Sequence, residues 1–166
     1  MRATDGTEIK AVCFTGHRVI GADFDEAMLD EYLLKLVGVG YNTFICGGAL
    51  GYDTVVAEKI LELRSSFPSI RLHLYIPCRD QDRRWSAADR KRYKRILDSA
   101  DHVEVIAESY YDGCMRDRNY RMVDNARICI CYLNNETKSG TAQTVRYAKK
   151  NGVAVINVAK GRQYSN

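Results

Sequence analysis

Apolar residues in this chain follow two alternating patterns. Short, nearly continuous apolar runs predict β-strands, and longer segments with an apolar residue at every third or fourth position predict helices. The short runs predict six strands, at residues 9–14, 43–46, 70–76, 102–107, 127–133 and 153–158. The spaced segments predict five intervening helices, at residues 24–39, 52–65, 87–99, 115–125 and 140–151.

Strict alternation of strands and helices predicts right-handed βαβ crossovers and a mostly parallel sheet that helices cover on both sides. The near-continuous apolar character of residues 70–76 is typical of a strand buried on both faces. No composition shift or flexible linker divides the chain. We therefore predict a Rossmann-like, doubly wound α/β fold with about six strands. It should form one domain over residues 1–166, with its core at residues 9–158.

The composition indicates which general class of protein this chain belongs to. Of the 166 residues, 46% are apolar and 28% charged, which is ordinary for a soluble globular protein. No apolar run approaches the ~18 residues that span a bilayer, and the first six residues lack a signal-peptide core. We therefore expect a cytoplasmic protein with no membrane partner. The six cysteines include no C-x-x-C pair, so we expect reduced, structural thiols and no metal site.

The net charge of +4 is unevenly distributed. Residues 79–95 hold eight basic and three acidic residues, a local charge of +5, so the remainder is close to neutral. Such a segment can bind phosphate or nucleic acid, or it can be a solvated helix face with i,i+4 ion pairs. The only tryptophan lies in it and can stack on a base or pack the loop against the core. The candidates for nucleic-acid contact are Arg83, Arg84, Trp85 and Arg92.

Three predicted strand-to-helix turns carry glycine, serine or threonine. Ligands of such sheets bind beyond the carboxyl ends of the strands, where glycines permit close approach and helix N–H groups attract anions. None of the turns is a P-loop or a G-x-G-x-x-G fingerprint, and each alone can be a tight turn. Together they predict a phosphate-bearing ligand. They comprise Thr15, Gly16, His17 and Arg18; Gly47, Gly48, Ala49, Leu50 and Gly51; and Ser139, Gly140 and Thr141.

Several polar residues near these turns have two interpretations. Arg18 can clamp a phosphate with two hydrogen bonds. His17 can bind ribose or phosphate, act as an acid or base, or be a satisfied buried residue. Asp53 can bind ribose hydroxyls or complement the dipole of the second helix. Arg118 and Met122 lie four residues apart and share a helix face, whereas Asp124 lies off it.

Taken together, these motifs resemble the SLOG superfamily, named for the Smf/DprA and LOG proteins. The resemblance covers residues 9–158 and rests on Thr-Gly-His-Arg at 15–18, Gly-Gly-Ala-Leu-Gly-Tyr-Asp at 47–53, Pro77, residues 118–124, and Ser-Gly-Thr at 139–141. Within it the motifs are most similar to the small YpsA-type proteins, which lack an assigned reaction. The resemblance implies a Rossmann-like fold that binds nucleotide-derived ligands. It adds Pro77, Asn119 and Met122 to the candidate binding residues and implies that a homodimer is possible.

The LOG branch of that superfamily contains phosphoribohydrolases with R-x-x-x-M and P-G-G-x-G-T-x-x-E elements. Arg118 to Met122 fits the first element, but only Gly140-Thr141 remains of the second, and Thr144 replaces its carboxylate. A carboxylate stabilises the developing oxocarbenium ion and activates water, a contribution of ~10²–10⁴-fold through proton transfer alone. Asp53 or Asp124 can in principle substitute for it. The catalytic candidates, should a reaction occur, are Arg118, Asp53 and His17.

Three functions follow from this reasoning. The first is binding or sensing of a nucleotide-derived ligand of the ADP-ribose, NAD or nucleoside phosphate type. The second is an enzyme that hydrolyses the N-glycosidic bond of a nucleoside monophosphate. The third, which the DprA branch suggests, is a single-stranded nucleic-acid-binding module that uses the basic segment at 79–95.

Overall fold

Six parallel strands form one sheet in the computed structural model, which describes residues 9–161. The strands lie in the order β4-β3-β2-β1-β5-β6, and this confirms the predicted Rossmann-like, doubly wound arrangement. The outer limits of the predicted domain, residues 1–8 and 162–166, lie outside the described residues. The strands are β1 Ala11–Gly16, β2 Thr43–Cys46, β3 Arg71–Cys78, β4 His102–Ala107, β5 Ile128–Tyr132 and β6 Ala154–Asn157.

Five helices connect the strands: α1 Glu26–Gly38, α2 Tyr52–Ser66, α3 Ala87–Ser99, α4 Cys114–Asp124 and α5 Gly140–Lys150. Three of them begin at a polar side chain that accepts a hydrogen bond from a free helix N–H. Asp25 accepts from the N–H of Met28 at 3.0 Å and so starts α1. Ser86 and Ser139 start α3 and α5 in the same way.

The two faces of the sheet bury different side chains, because successive residues of a strand point to opposite sides. Val12 and Phe14 pack with the apolar residues of α1, α2 and α3 in the larger core cluster. Ala11 and Cys13 belong to the smaller cluster, which includes residues of α4 and α5. All six cysteines are buried and none forms a disulfide.

Element boundaries coincide with the predicted ones or differ from them by at most two residues. β1 and β3 each end two residues later than predicted, and β1 runs to Gly16 because Thr15 and Gly16 pair with the end of β5. Pro77 was expected to close the third strand, but β3 continues to Cys78. Pairing of β3 with β2 ends at Leu74, so only β4 flanks Pro77, and a residue without an N–H is tolerated there.

Within residues 9–161, no helix is long and apolar enough to cross a membrane. That same range contains no group of three or more His, Cys, Asp or Glu side chains arranged to hold a metal ion. His73 and His102, for which the sequence showed no partner pattern, face each other across β3 and β4 with ring centroids 5.1 Å apart. Both lie toward the amino ends of their strands, away from the turns that carry the candidate site.

Candidate functional site

The strand order of the sheet reverses between β1 and β5, and this reversal creates the crevice. From β1 the chain proceeds through β2, β3 and β4 in one direction, and β5 and β6 lie on the other side of β1. Helices therefore leave the two adjacent strand ends on opposite faces, which opens a cleft beyond their carboxyl ends. Gly16 pairs with Tyr132 at this edge, so the turn after β1 lies beside the loop after β5.

All three predicted turns contribute to one cavity of about 310 Å³ in this crevice, here called the inner cavity. Met115 of α4 also lines it, although its sequence position gave no sign of this role. Predicted and unpredicted residues together form its wall: Thr15, Gly16, His17, Arg18, Ala49, Asp53, Met115, Arg118, Asn119, Ser139, Gly140 and Thr141.

Two further cavities adjoin the inner one. The outer cavity, of about 690 Å³, shares Arg18 and Met115 with it and is otherwise lined by Cys78, Asp80, Gln81, Arg83, Arg84, Trp85 and Tyr110. The side cavity, of about 210 Å³, is lined by Arg18, Leu50, Gly51, Thr54, Trp85, Asp89, Arg92 and Tyr93. Arg18 is thus common to all three. Its exposed side chain has no hydrogen bond or ion pair with any residue in the range 9–161.

Arg118 and Asp53 form a buried charged pair at the floor of the inner cavity. Only 4% of Arg118 and 6% of Asp53 is exposed. The guanidinium donates hydrogen bonds to the carbonyl oxygens of Gly47 and Tyr75 and, through Nε, to Asn119 at 2.7 Å. Asp53 accepts from the N–H of Ala49 at 3.2 Å. Arg118 thus links the 47–51 turn, through Gly47, to β3, through Tyr75, and its Nε bonds within its own helix.

Burial sets the ionisation of this pair. It raises the pKa of the Asp53 carboxyl, and the neighbouring Arg118 guanidinium, the Ala49 N–H and the Arg18 charge oppose that rise. Burial likewise lowers the pKa of Arg118, and Asp53 opposes it. A carboxyl group with a raised pKa inside a cavity can hold or release a proton there. Asp53 and Arg118 are thus two predicted catalytic candidates whose ionisation burial in the site perturbs.

Glycines in the second turn make room for the protein's own atoms. A Cβ on Gly47 would lie 2.5 Å from Nη1 of Arg118 and 2.7 Å from Oδ2 of Asp53. A Cβ on Gly51 would lie 2.1 Å from the carbonyl oxygen of Arg18, and Gly51 has a φ of +78°. Close approach at these two glycines is therefore required by internal packing, whereas the sequence analysis attributed it to a ligand. Gly140 differs, because open space surrounds the position of its Cβ.

His17 joins the two loops that border the crevice. Its Nε2 accepts a hydrogen bond from the N–H of Asn134 at 3.2 Å, and its ring contacts the Tyr132 ring edge-on with centroids 5.5 Å apart. The backbone carbonyl of His17 accepts from the N–H of Tyr52, the first residue of α2. The imidazole lines the inner cavity, but both of its nitrogens face protein groups, since Nδ1 lies 3.9 Å from Oε2 of Glu136.

Other predicted residues do not line the inner cavity. Met122 is buried in the smaller core cluster and does not line the inner cavity. It lies one helical turn after Arg118, and at that point α4 packs on the sheet. Asp124 accepts a hydrogen bond from the Tyr147 hydroxyl on an exposed surface, so it cannot replace a carboxylate in the cavity. Thr144 is buried and donates to the Gly140 carbonyl oxygen at 2.8 Å. Pro77, Gly47 and Gly48 are buried and do not line the inner cavity.

The basic segment at 79–95 is partly neutralised. Four of its cations form ion pairs: Arg79 with Glu108, Arg90 with Asp82, Arg92 with Glu58, and Lys94 with Asp98. Arg83 and Arg84 are exposed and have no side-chain partner within residues 9–161. Trp85 is partly buried, and its ring centroid lies 5.1 Å from that of Tyr93. It also lines the outer and side cavities. The interpretation as an ion-paired, solvated face therefore describes part of this segment, and Arg83 and Arg84 lie outside that part.

Known proteins match this chain in sequence. The family model described as the YspA SLOG family matches residues 20–159. A UPF0398 protein of Halalkalibacterium halodurans is 26% identical over 136 residues, which cover 81% of this chain and 72% of that protein. The uncharacterized SPbeta prophage-derived protein YoqJ of Bacillus subtilis is 31% identical over 136 residues, covering 75% of this chain and 77% of that protein.

One solved structure has a similar fold. DNA processing protein A from Helicobacter pylori, described for its single-stranded DNA binding mode, superposes with a TM-score of 0.66 and 19% sequence identity. The match covers 95% of this chain and 67% of that one. At this level of identity the likeness demonstrates a shared fold.

Proposed function

This chain belongs to the YspA SLOG family, and we propose that it binds a nucleotide-derived ligand along the carboxyl edge of its sheet. In this proposal the phosphate contacts Arg18 and the first residues of α5, and the base and sugar extend into the outer cavity. The ligand is of the nucleoside phosphate, ADP-ribose or NAD type.

The unpaired side chain of Arg18 carries this proposal. Arg18 is exposed and has no hydrogen bond or ion pair with any of the described residues. It lies where three cavities meet, so a group bound in any of them can reach it. A guanidinium presents paired N–H donors that match a phosphate.

The start of α5 offers a second set of donors to the same anion. Ser139 uses its hydroxyl to cap the N–H of Ala142 at 3.1 Å, which leaves the first N–H groups of the helix without a side-chain cap. Gly140 has no neighbouring side chain above it, and Thr141 lines the inner cavity. An anion at this position would be stabilised by the positive end of the helix dipole.

The dimensions of the two larger cavities suit a nucleotide. Ligand sites for small molecules and cofactors commonly occupy about 300–1,000 Å³. The inner and outer cavities, of about 310 and 690 Å³, share Arg18 and Met115, so one ligand can extend through both. Trp85 and Tyr110 supply aromatic surface in the outer cavity, on which a base can stack.

Calorimetry and thermal unfolding with Arg18→Ala test this proposal. Wild-type protein should bind at least one of AMP, ADP, ADP-ribose and NAD, and a ligand at 100 times its Kd should add about 2.7 kcal/mol to stability. Arg18→Ala should weaken that binding about tenfold or more, because a charge-assisted hydrogen bond to phosphate is lost. Arg95→Ala is the matched control, since Arg95 is exposed but lines none of the three cavities. Equal affinity of wild type and Arg18→Ala would refute the site.

A second candidate function is binding of single-stranded nucleic acid. The specific observation is that Arg83 and Arg84 are exposed and unpaired, within the described residues, directly beside Trp85. Cations along a backbone track and aromatic rings under the bases are the usual elements of such sites. An Arg83→Ala, Arg84→Ala double variant should weaken binding of a short oligonucleotide and flatten its dependence on salt concentration. Binding that is equally weak at low and moderate salt would exclude this function.

A further inference from the structure

The side-chain amide of Gln81 forms hydrogen bonds with described residues through its nitrogen only. It lies in the turns between β3 and α3 and lines the outer cavity. Its Nε2 donates hydrogen bonds to the Tyr93 hydroxyl at 2.8 Å and to the Gly48 carbonyl oxygen at 3.3 Å. A carbonyl oxygen can only accept, so the contact with Gly48 requires the nitrogen at this end of the amide.

The other end of this amide lacks a partner. Oε1 of Gln81 is shielded from solvent and accepts no hydrogen bond from any described residue. Both amide hydrogens are already used, so the remaining capacity of the side chain is to accept. Buried polar atoms in folded proteins are nearly always paired. An N–H donor brought into the outer cavity would supply what is missing.

The surroundings of Gln81 are suited to a flat, hydrogen-bonding ring. Trp85 and Tyr110 line the same cavity and can stack on it. Because water does not reach Oε1, a donor reaches it only when a neighbouring side chain moves aside. Arg18, Arg83 and Arg84 line this cavity, are exposed, and are not tied to another described side chain, so they can move at low cost.

We infer that Gln81 recognises the base of the bound nucleotide, its Oε1 accepting a hydrogen bond from the exocyclic amine of adenine or cytosine. This inference rests on the proposed function, because it assumes a nucleotide whose phosphate lies at Arg18. Gln81 presents an acceptor and no free donor, so it favours a base edge that donates. A base that brings no donor to this position leaves the oxygen unpaired and binds less tightly.

Two pairs of nucleotides that differ in one amine provide the test. AMP is compared with purine riboside 5′-monophosphate, which has hydrogen in place of the amine, and CMP with its 2-pyrimidinone counterpart. Calorimetry on the wild-type protein should show tighter binding of the amine-bearing member by about tenfold or more in at least one pair. In Gln81→Met, which keeps the length of the side chain, the ratio of the two affinities should fall to about one.

Gln143→Met is the matched control, because Gln143 is exposed on α5 and lines none of the cavities; it should keep the wild-type ratio. Should Gln81→Met fail to fold, Gln81→Glu decides: it retains an acceptor, so a kept preference supports the inference and a lost one overturns it. Equal binding within both pairs, or a preference that survives in Gln81→Met, overturns base recognition by Gln81 and leaves the proposed function standing. Binding of none of the four nucleotides overturns base recognition by Gln81, and the proposed function fails as well only if ADP, ADP-ribose and NAD also do not bind.

Discussion

Arg118, on α4, reaches back 71 residues along the chain to donate a hydrogen bond to the carbonyl oxygen of Gly47. The same guanidinium lies beside the Asp53 carboxyl, which accepts from the Ala49 N–H. Both side chains thus hold the 47–51 turn. Arg118 binds the Gly47 carbonyl oxygen, and Asp53 binds the Ala49 N–H. We propose on this basis that Arg118 positions the 47–51 turn, whereas the R-x-x-x-M resemblance makes it a catalytic candidate.

Removing Arg118 should therefore cost stability. In Arg118→Met, the Gly47 and Tyr75 carbonyl oxygens lose a donor and Asp53 keeps a buried charge without its counter-ion. Loss of one member of a buried pair typically costs about 3–5 kcal/mol, so we expect a fall of this order in the free energy of unfolding. Urea denaturation measures it. Arg121→Met serves as control, since Arg121 is an exposed residue of the same helix paired with Glu104 and should cost at most about 1 kcal/mol.

The close packing around Gly47 leads to a second prediction. Gly47→Ala introduces a Cβ about 2.5 Å from the Arg118 guanidinium, so the pair must shift and we expect a loss of about 1–3 kcal/mol in unfolding free energy. Gly140→Ala, in open space at the start of α5, should change it by no more than about 0.5 kcal/mol. A Gly47→Ala protein as stable as Gly140→Ala would show that the turn is not packed as described.

Asp53 should impose a pH dependence of a particular sign. Its folded pKa is raised above the ordinary value of 3.8, mainly by burial, so protonation favours the folded state. The stability that this provides is complete below pH 3.8 and is lost as the pH rises through the folded pKa. The free energy of unfolding of wild type minus that of Asp53→Asn should consequently decrease as the pH is raised from about 4 to 7.

Asp101 is the control for that experiment, because its shift has the opposite sign. Burial alone would raise its pKa, but the Leu72 N–H and Arg64 outweigh burial and lower it. Its contribution is therefore present above pH 3.8 and is lost only as the pH falls through the lowered pKa. Between pH 4 and 7 the wild-type minus Asp101→Asn difference should not decrease. A parallel decrease for both variants would contradict the assignment to Asp53.

Turnover of nucleoside monophosphates is expected to be absent or very slow. Thr144 occupies the position of the LOG-type carboxylate, and its hydroxyl is bonded to the Gly140 carbonyl oxygen. Asp53 is the remaining carboxyl in the inner cavity, and the 47–51 turn engages it. Overnight incubation with AMP, followed by chromatography, should release no adenine above a protein-free blank. Release that disappears in Asp53→Asn would instead establish Asp53 as catalytic.

Much of this molecule was predictable from local pattern. The order of strands and helices follows from apolar spacing, because each element must bury one face and its period reveals which residues do so. The location of the candidate site at the carboxyl edge follows from the parallel sheet, since every strand-to-helix turn then lies at the same edge. The convergence of residues 15–18, 49 and 139–141 on the inner cavity was anticipated on those grounds.

Other features depend on contacts between residues far apart in the chain. The helical period placed Arg118 and Met122 on one face, but only packing decided that the first enters the crevice and the second the core. Met115 and Gln81 carry no local signal, because their roles arise from the cavity that the 79–86 turns form with α4.

The sequence by itself determined the class of fold, the edge at which a ligand can bind and the residue types available there, since these depend on short-range periodicity and strand direction. Only the tertiary structure decided that the crevice opens between β1 and β5. It also decided that Arg118 donates a hydrogen bond to Gly47, and that Arg18 lines the inner cavity without a partner among the described residues. The reason is physical: hydrogen bonds and burial of these groups are set by neighbours brought together from distant segments, and no local pattern encodes them.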